Sequence, residues 1–282
     1  MREIFPALLI SLTFVTGCKK QEVSAETVGQ DTPIHGETIQ AGTAEDSTVL
    51  FVAQIVKNKK EALAQLKGVS TEKANKIYDK LFSSNVEALT AINNFEGSFL
   101  ETAHATDEPA KEKRLKVLEN KIKPAGLELW DIGEGMAIVR NVPDYYKKIF
   151  SGKVTADYDE GISIVAYEEK ELWEADAAVS IPWKDLGERV VAWENFIKKY
   201  PKSEFRKEAE DTYKMYRYAF LLGLDNTPVI DFSNNQMDAE ARKAFTAFVK
   251  NHPESETTTY VKMLLEDVNN KDKVAEVVRT NF

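Results

Sequence analysis

Trp193-Glu-Asn-Phe-Ile-Lys-Lys-Tyr-Pro-Lys-Ser203 and Phe245-Thr-Ala-Phe-Val-Lys-Asn-His-Pro-Glu-Ser255 are one pattern written twice, 52 residues apart. Phe196 falls on Phe248, Ile197 on Val249, Tyr200 on His252, Pro201 on Pro253 and Ser203 on Ser255. In each copy the aromatic and aliphatic positions recur at helical spacing, the proline stops that helix, and the serine two residues later is placed to cap the next one. An apolar stripe then resumes: Phe205, Ala209, Tyr213, Tyr216 and Phe220 in the first copy; Tyr260, Val261, Leu264, Leu265 and Val268 in the second. Each unit therefore reads helix, tight turn, helix, over Pro182 to Val268, with the extra length between copies in Gly223 to Gln236.

Helical periodicity also governs most of the chain upstream. Val49, Val52, Ile55, Val56, Leu63 and Leu66 predict a first amphipathic helix with these residues on one buried stripe. Ile77, Leu81, Ala88, Ile92, Phe95 and Phe99 predict a second, about seven turns long, capped at Ser70 or Thr71. Pro109 to Ile122 reads as a third, with Leu115 and Leu118 inward. The period changes to two at Leu127–Ile132 and again at Met136–Arg140, and Gly133-Glu134-Gly135 supplies the turn of a β-hairpin. Such a hairpin is marginal alone and must rest on the helices or on another strand. A short helix follows Pro143, and Asp157 to Ala178 is read as helix. The fold class is mainly α, with helical hairpins, helix-pair repeats in the C-terminal part and a small β-hairpin insertion.

The Tyr200-Pro-x-Ser203 turn and its His252-Pro-x-Ser255 counterpart, with Trp183-x-x-Leu186-Gly187 before the first, resemble the tetratricopeptide-like helix pairs of outer-membrane assembly lipoproteins and of the periplasmic Tol-Pal coordinator. The resemblance covers about a third of the chain and departs in period, 52 residues here against about 34. It implies a scaffold whose helix pairs bury one face and offer the other to a protein partner.

A second resemblance lies at the N-terminus. Arg2, the apolar run from Ile4 to Val15, and Thr16-Gly17 before Cys18, the single cysteine, resemble the signal of a bacterial lipoprotein. The apolar run is shorter than the roughly 20 residues a membrane span needs. The resemblance implies that Cys18 becomes the first residue and carries a thioether-linked diacylglycerol, a stable membrane anchor through its acyl chains. Residues 1–17 are then the signal peptide. Residues 18–46, without aromatics and rich in Gly, Thr, Glu and Asp, form a tether with a mean reach on the order of 30 Å. Three further regions follow: helical at 47–125, β-hairpin with short helices at 126–180, and helix pairs at 181–282. Lys19 after the lipid site is permissive for sorting to the outer membrane of a Gram-negative bacterium, facing either the periplasm or the exterior.

The chain carries 37 Lys and Arg against 46 Asp and Glu, a net charge of −9. An acidic body disfavours nucleic acid and anionic headgroups, so the lipid is expected to make the membrane contact without help from the body. Lys57 to Lys60 is a short exception.

Catalytic patterns are scarce. His35 lies in the tether, His252 in a repeat turn and His104 in a connection between helices. No His-Glu-x-x-His, Gly-x-Ser-x-Gly or phosphate-binding loop occurs. Ser70-x-x-Lys73 matches one part of a penicillin-binding motif whose Lys-Thr-Gly partner is missing, and a helix cap explains Ser70 better. Asp157, Asp159 and Glu168 fall at ligand positions of a calcium-binding loop, but Gly161 stands where an oxygen ligand belongs and Ile162 where glycine does. Paired carboxylates for a glycan hydrolase could be drawn only from Glu168, Glu169, Glu171 and Glu174, a run typical of a solvated face. The sequence thus predicts a non-enzyme without cofactor or metal, and Cys18 as its one nameable functional residue.

The leading expectation is an anchored envelope scaffold or assembly accessory for a protein partner. The alternative is a lipoprotein that binds cell-wall glycan or a small ligand; an envelope hydrolase ranks third. Trp130, Trp173 and Trp183 grouped in an exposed polar cleft would favour the glycan. The aromatics Trp193, Tyr200, Tyr213, Tyr216, Tyr218 and Phe220 are read as core, and the insertion at 223–232 as a loop folded back on the core or a partner-binding edge.

Overall fold

The computed structural model describes residues 44–105 and 108–280. The two proline turns join two pairs of antiparallel helices: α6 (Trp183–Lys199) with α7 (Arg206–Leu222), and α8 (Ala239–Asn251) with α9 (Thr257–Glu266). Before them come α1 (Ala44–Gln65), α2 (Thr71–Leu100), α3 (Pro109–Ile122), the hairpin β1 (Leu127–Gly133) and β2 (Met136–Asn141), α4 (Tyr145–Phe150) and α5 (Ala156–Glu168). A last helix, α10 (Lys271–Thr280), packs on α7. The chain is mainly helical, and the β structure among the described residues consists of two-stranded antiparallel pairs and one isolated bridge.

The second and third helices form where the sequence places them. Ser70 caps α2 by accepting from the Lys73 amide, and Leu118 of α3 is buried while Leu115 is half-buried. The first helix corrects the expectation. Its buried stripe is Thr48, Ile55, Ala62 and Leu66, with Val52 half-buried, whereas Val49, Val56 and Leu63 are 49, 43 and 42% exposed. The buried stripe is displaced by roughly 50° around the helix, about half a residue step. Two features that apolar counting overlooks set this rotation: Ala62 is small enough for close packing, and the buried Thr48 hydroxyl donates to Glu96 on α2 at 2.8 Å. Glu96 is in turn paired with Arg114 of α3 at 3.0 Å.

The hairpin turns at Gly133, Glu134 and Gly135, all with positive φ. Its free edge is met by Asn93 of α2, whose side-chain amide donates to the Val139 carbonyl and accepts from the Val139 amide, both at 2.8 Å. One asparagine thus stands in for a third strand. Leu127, Ala137 and Val139 share a core with Ile55, Ile92, Leu118 and Ile122.

A larger core runs from the α1–α2 turn through α4 and α5 to α10. At its start Tyr78 is ringed by Phe82, Tyr146, Phe150, Tyr158 and Phe205, with centroids 5.2–5.8 Å away. Further along, two glycines admit the helix pairs. A Cβ on Gly161 of α5 would lie 3.1 Å from Phe205 and 3.5 Å from Phe196; one on Gly187 of α6 would lie 3.0 Å from Phe248 and 3.1 Å from Phe220. Phe196 and Phe248 are equivalent repeat positions, so α5 receives the first pair as α6 receives the second.

The helix expected over Asp157–Ala178 ends at Glu168, and a small hairpin follows, β3 (Glu174–Ala175) with β4 (Ala178–Val179). Its turn residues Asp176 and Ala177 both have positive φ, the geometry of a two-residue hairpin turn usually marked by Asn-Gly. The serines of the proline turns also differ from expectation. Ser203 lies two positions before the cap residue of α7, Phe205, and Ser255 one position before that of α9, Glu256. Each accepts from the amide two residues on, at 3.2 Å, and donates to a carboxylate on the neighbouring helix, Asp157 and Glu194 respectively.

Candidate functional site

A surface concavity lies where the insertion between the two helix pairs meets the segment entering α6. The insertion starts with β5 (Gly223–Leu224) and β6 (Thr227–Pro228). Gly223 is required, since its φ is +81° and a Cβ would fall 2.2 Å from the Thr227 carbonyl oxygen. The two small hairpins are stitched together: the Val179 amide donates to the Thr227 hydroxyl at 2.7 Å, and the Asn226 amide to the Ala177 carbonyl at 3.0 Å. Val229 and Ile230 are buried, so the insertion folds back on the core, while Phe232 at its tip is 78% exposed.

The resulting cleft has a volume of about 610 Å³. One wall is Val179, Ile181 and Trp183; the other comes from Asn226 to Pro228 and from the loop leading into α8, with Asp231, Asn234, Gln236, Met237, Asp238 and Glu240. Three carboxylates and three amides line it, and no Lys, Arg or His does. Asp231 holds the loop in shape, accepting from the Ser233 amide and hydroxyl at 2.7 Å and from Asn234 at 3.1 Å. The Ser233 bonds keep its carboxyl below the ordinary aspartate value. Asp238 caps α8 by accepting from the Ala241 amide at 2.8 Å. Across the loop, Asn235 bonds Asn269 and Lys271, which ties this wall to the start of α10. Such a lining suits a cationic or polyhydroxylated group inserted beside one indole face.

A second cluster of polar chemistry is buried. Glu168, at the end of α5, accepts from the Trp193 indole at 2.8 Å and from the Tyr216 hydroxyl at 3.3 Å. Arg189 donates to the Tyr216 hydroxyl and to the Glu168 and Glu171 backbone carbonyls. Burial pushes the Glu168 carboxyl up to about 8, against the pull of Arg189 and the two hydrogen bonds. With Glu168, Arg189, Trp193 and Tyr216 all under 9% exposed, this network joins α5, α6 and α7 and offers no path to a substrate.

The other singled-out residues are dispersed. Trp130 lies under the Arg140 guanidinium, 3.4 Å from its ring centroid; Trp173 stands edge-on to Tyr216; Trp183 alone of the three lines the cleft. Trp193, Tyr213, Tyr216 and Phe220 are buried core, and Tyr200 and Tyr218 half-buried. Asp157 and Glu168 sit at opposite ends of a regular helix, about 16 Å apart along its axis at 1.5 Å per residue, so the calcium-loop spacing has no loop to serve. His104 is exposed. Cys18 and the tether expected at 18–46, up to residue 43, lie outside the described residues. Among the described residues no helix is long and apolar enough to cross a membrane.

Sequence reading missed most of the cleft. Val179–Trp183 and Asn234–Glu240 are separated by more than fifty residues and share no pattern; the only local signal was a polar, proline-bearing insertion between two copies of a repeat. Comparison with known protein families, curated proteins and solved structures finds no match for this chain.

Proposed function

We propose that this protein is a lipoprotein of the cell envelope, anchored through Cys18, that acts as a scaffold by holding a basic segment of a partner protein in the cleft between its helix pairs. The observation that carries the reading is the cleft itself: the insertion that breaks the repeat builds it, and its polar lining is acidic and free of basic side chains. A Lys or Arg side chain entering it gains charge complementarity and can lie against Trp183. Phe232, exposed in the same loop, supplies an apolar contact beside it. On this reading the tetratricopeptide-like helix pairs are the rigid frame and the cleft the recognition element.

The test is a photoreactive phenylalanine at position 232 in intact cells. The expected result is one crosslinked envelope protein, attached through a Lys- or Arg-bearing segment, and lost when Glu240→Lys is added. Crosslinking that survives Glu240→Lys unchanged overturns the assignment. A second reading, a glycan ligand, is favoured by Trp183 together with Asn226, Asn234 and Gln236. It predicts that cell-wall saccharides quench tryptophan fluorescence in the native protein and not in Trp183→Phe.

A further inference from the structure

The outward face of α1 has a composition unlike the rest of the surface. At 100° per residue, Val49, Ala53, Val56, Lys60 and Leu63 project from one side, flanked by Leu50 and Lys57. Val49, Leu50, Val56 and Leu63 are 49, 69, 43 and 42% exposed, half of the eight large apolar residues that stand exposed among the described residues. The polar side of the helix carries Gln54, Glu61 and Gln65, and Glu61 leans back to Lys57 at 4.0 Å. Charge is distributed in the same sense. Residues 44–126 hold 13 Lys and Arg against 12 Asp and Glu, while residues 127–282 hold 21 against 29. The acidic character belongs to residues 127–180, with 5 Lys and Arg against 12 Asp and Glu; residues 181–282 hold 16 against 17, and the apolar face with its lysines belongs to the near-neutral residues 44–126.

We propose that this face of α1 lies on the surface of an anionic lipid bilayer and orients the body on it. Apolar side chains bordered by lysines suit that boundary, since the side chains leave water while the ammonium groups reach the headgroups. This revises the expectation that the body makes no membrane contact: most of the net charge of −9 comes from residues 127–180, and α1 lies in a segment close to neutral. A second copy of the chain is the weaker occupant, because two-fold pairing about Val56 would gather the Lys57 and Lys60 side chains of both helices around one axis. The proposal draws on the lipoprotein reading in one respect only, that a tether from Cys18 delivers α1 to the membrane first.

The experiment places a nitroxide at Val56→Cys, and separately at Glu61→Cys, in the lipidated protein on vesicles in which about one lipid in four is phosphatidylglycerol, the rest phosphatidylethanolamine. The label at position 56 is expected to be reached by oxygen in preference to a water-soluble paramagnetic chelate, and the label at 61 the reverse. Changing Lys57 or Lys60 to Gln should weaken this preference by about fivefold each. Equal access of the aqueous reagent to both positions overturns the proposal, as does dipolar broadening between labels at position 56, the mark of a second copy. Failure of the lipoprotein reading shows separately: an unacylated Cys18 would itself take up label.

Discussion

The two proline turns follow one sequence pattern, yet they close against unlike surfaces. At the first, Ser203 donates to Asp157 at 2.7 Å and the Tyr200 hydroxyl to Glu160 at 2.8 Å; both carboxylates belong to α5 and are half-exposed. At the second, Glu194 of α6 is 4% exposed and receives the Ser255 hydroxyl, the Glu256 amide and the Lys198 ammonium, while His252 meets Glu188 at 3.1 Å. The larger difference is at the repeat position held by Trp193 in one copy and Phe245 in the other. The indole brings an N–H that must be satisfied when buried, and Glu168 is the group that satisfies it. Phe245 has no such demand. A repeat thus preserves the path of the chain while each side chain's polar needs are met by whatever helix lies next to it.

The sharpest way to break the comparison is at the glycines. Gly187→Leu should destabilise by about 3 kcal/mol, since the new side chain meets Phe248 and Phe220, two core rings with no room to yield. Gly161→Leu should cost less, its contacts being slightly looser; urea midpoints for the two variants give the order. Equal midpoints would mean that the joints are equally tight. Next, Glu194→Ala leaves three partly buried donors without their acceptor and should cost about 2 kcal/mol, against about 1 kcal/mol for Asp157→Ala at its more solvated joint. The same denaturation series tests this pair.

The first joint also carries a pH dependence of its own. Glu168 has a folded pKa of about 8 against an ordinary value of 4.5, so between these limits the folded state holds the proton more tightly than the unfolded chain. Its stabilising contribution is present below about pH 4.5 and is lost as pH rises through 8. The melting temperature of the native protein should carry a component that falls over that window, and Glu168→Gln should remove it. An unchanged slope in the variant would place the titration elsewhere.

Much of the fold was legible because its signals are local. The bounds of α3, the cap at Ser70, the hairpin turn at 133–135 and both proline turns each depend on a few adjacent residues. The rotation of α1 was not legible, because it depends on Thr48 finding Glu96 and on Ala62 admitting α2, facts about a neighbour rather than about the helix. The β3–β4 turn was hidden because Asp176 and Ala177 take positive φ without a glycine to announce it. The cleft was half visible: the insertion stood out as an interruption of the repeat, whereas its opposite wall comes from residues around Trp183 that nothing in the sequence connects to it.

By itself the sequence determined most of the helices and the first hairpin, the doubling of the helix pair, and the signal-like run ending at Cys18 with the expectation that follows from it. These rest on periodicity, proline and glycine geometry and residue chemistry, which act over a turn or two of chain. Only the tertiary structure decided which apolar residues are core and which are surface, and where a cleft opens. Burial is a property of pairs of elements: a helix of given amphipathicity can rotate by about half a residue step at little local cost, and the buried Thr48–Glu96 contact and the small Ala62, not the apolar count, set the face that α1 leaves outside.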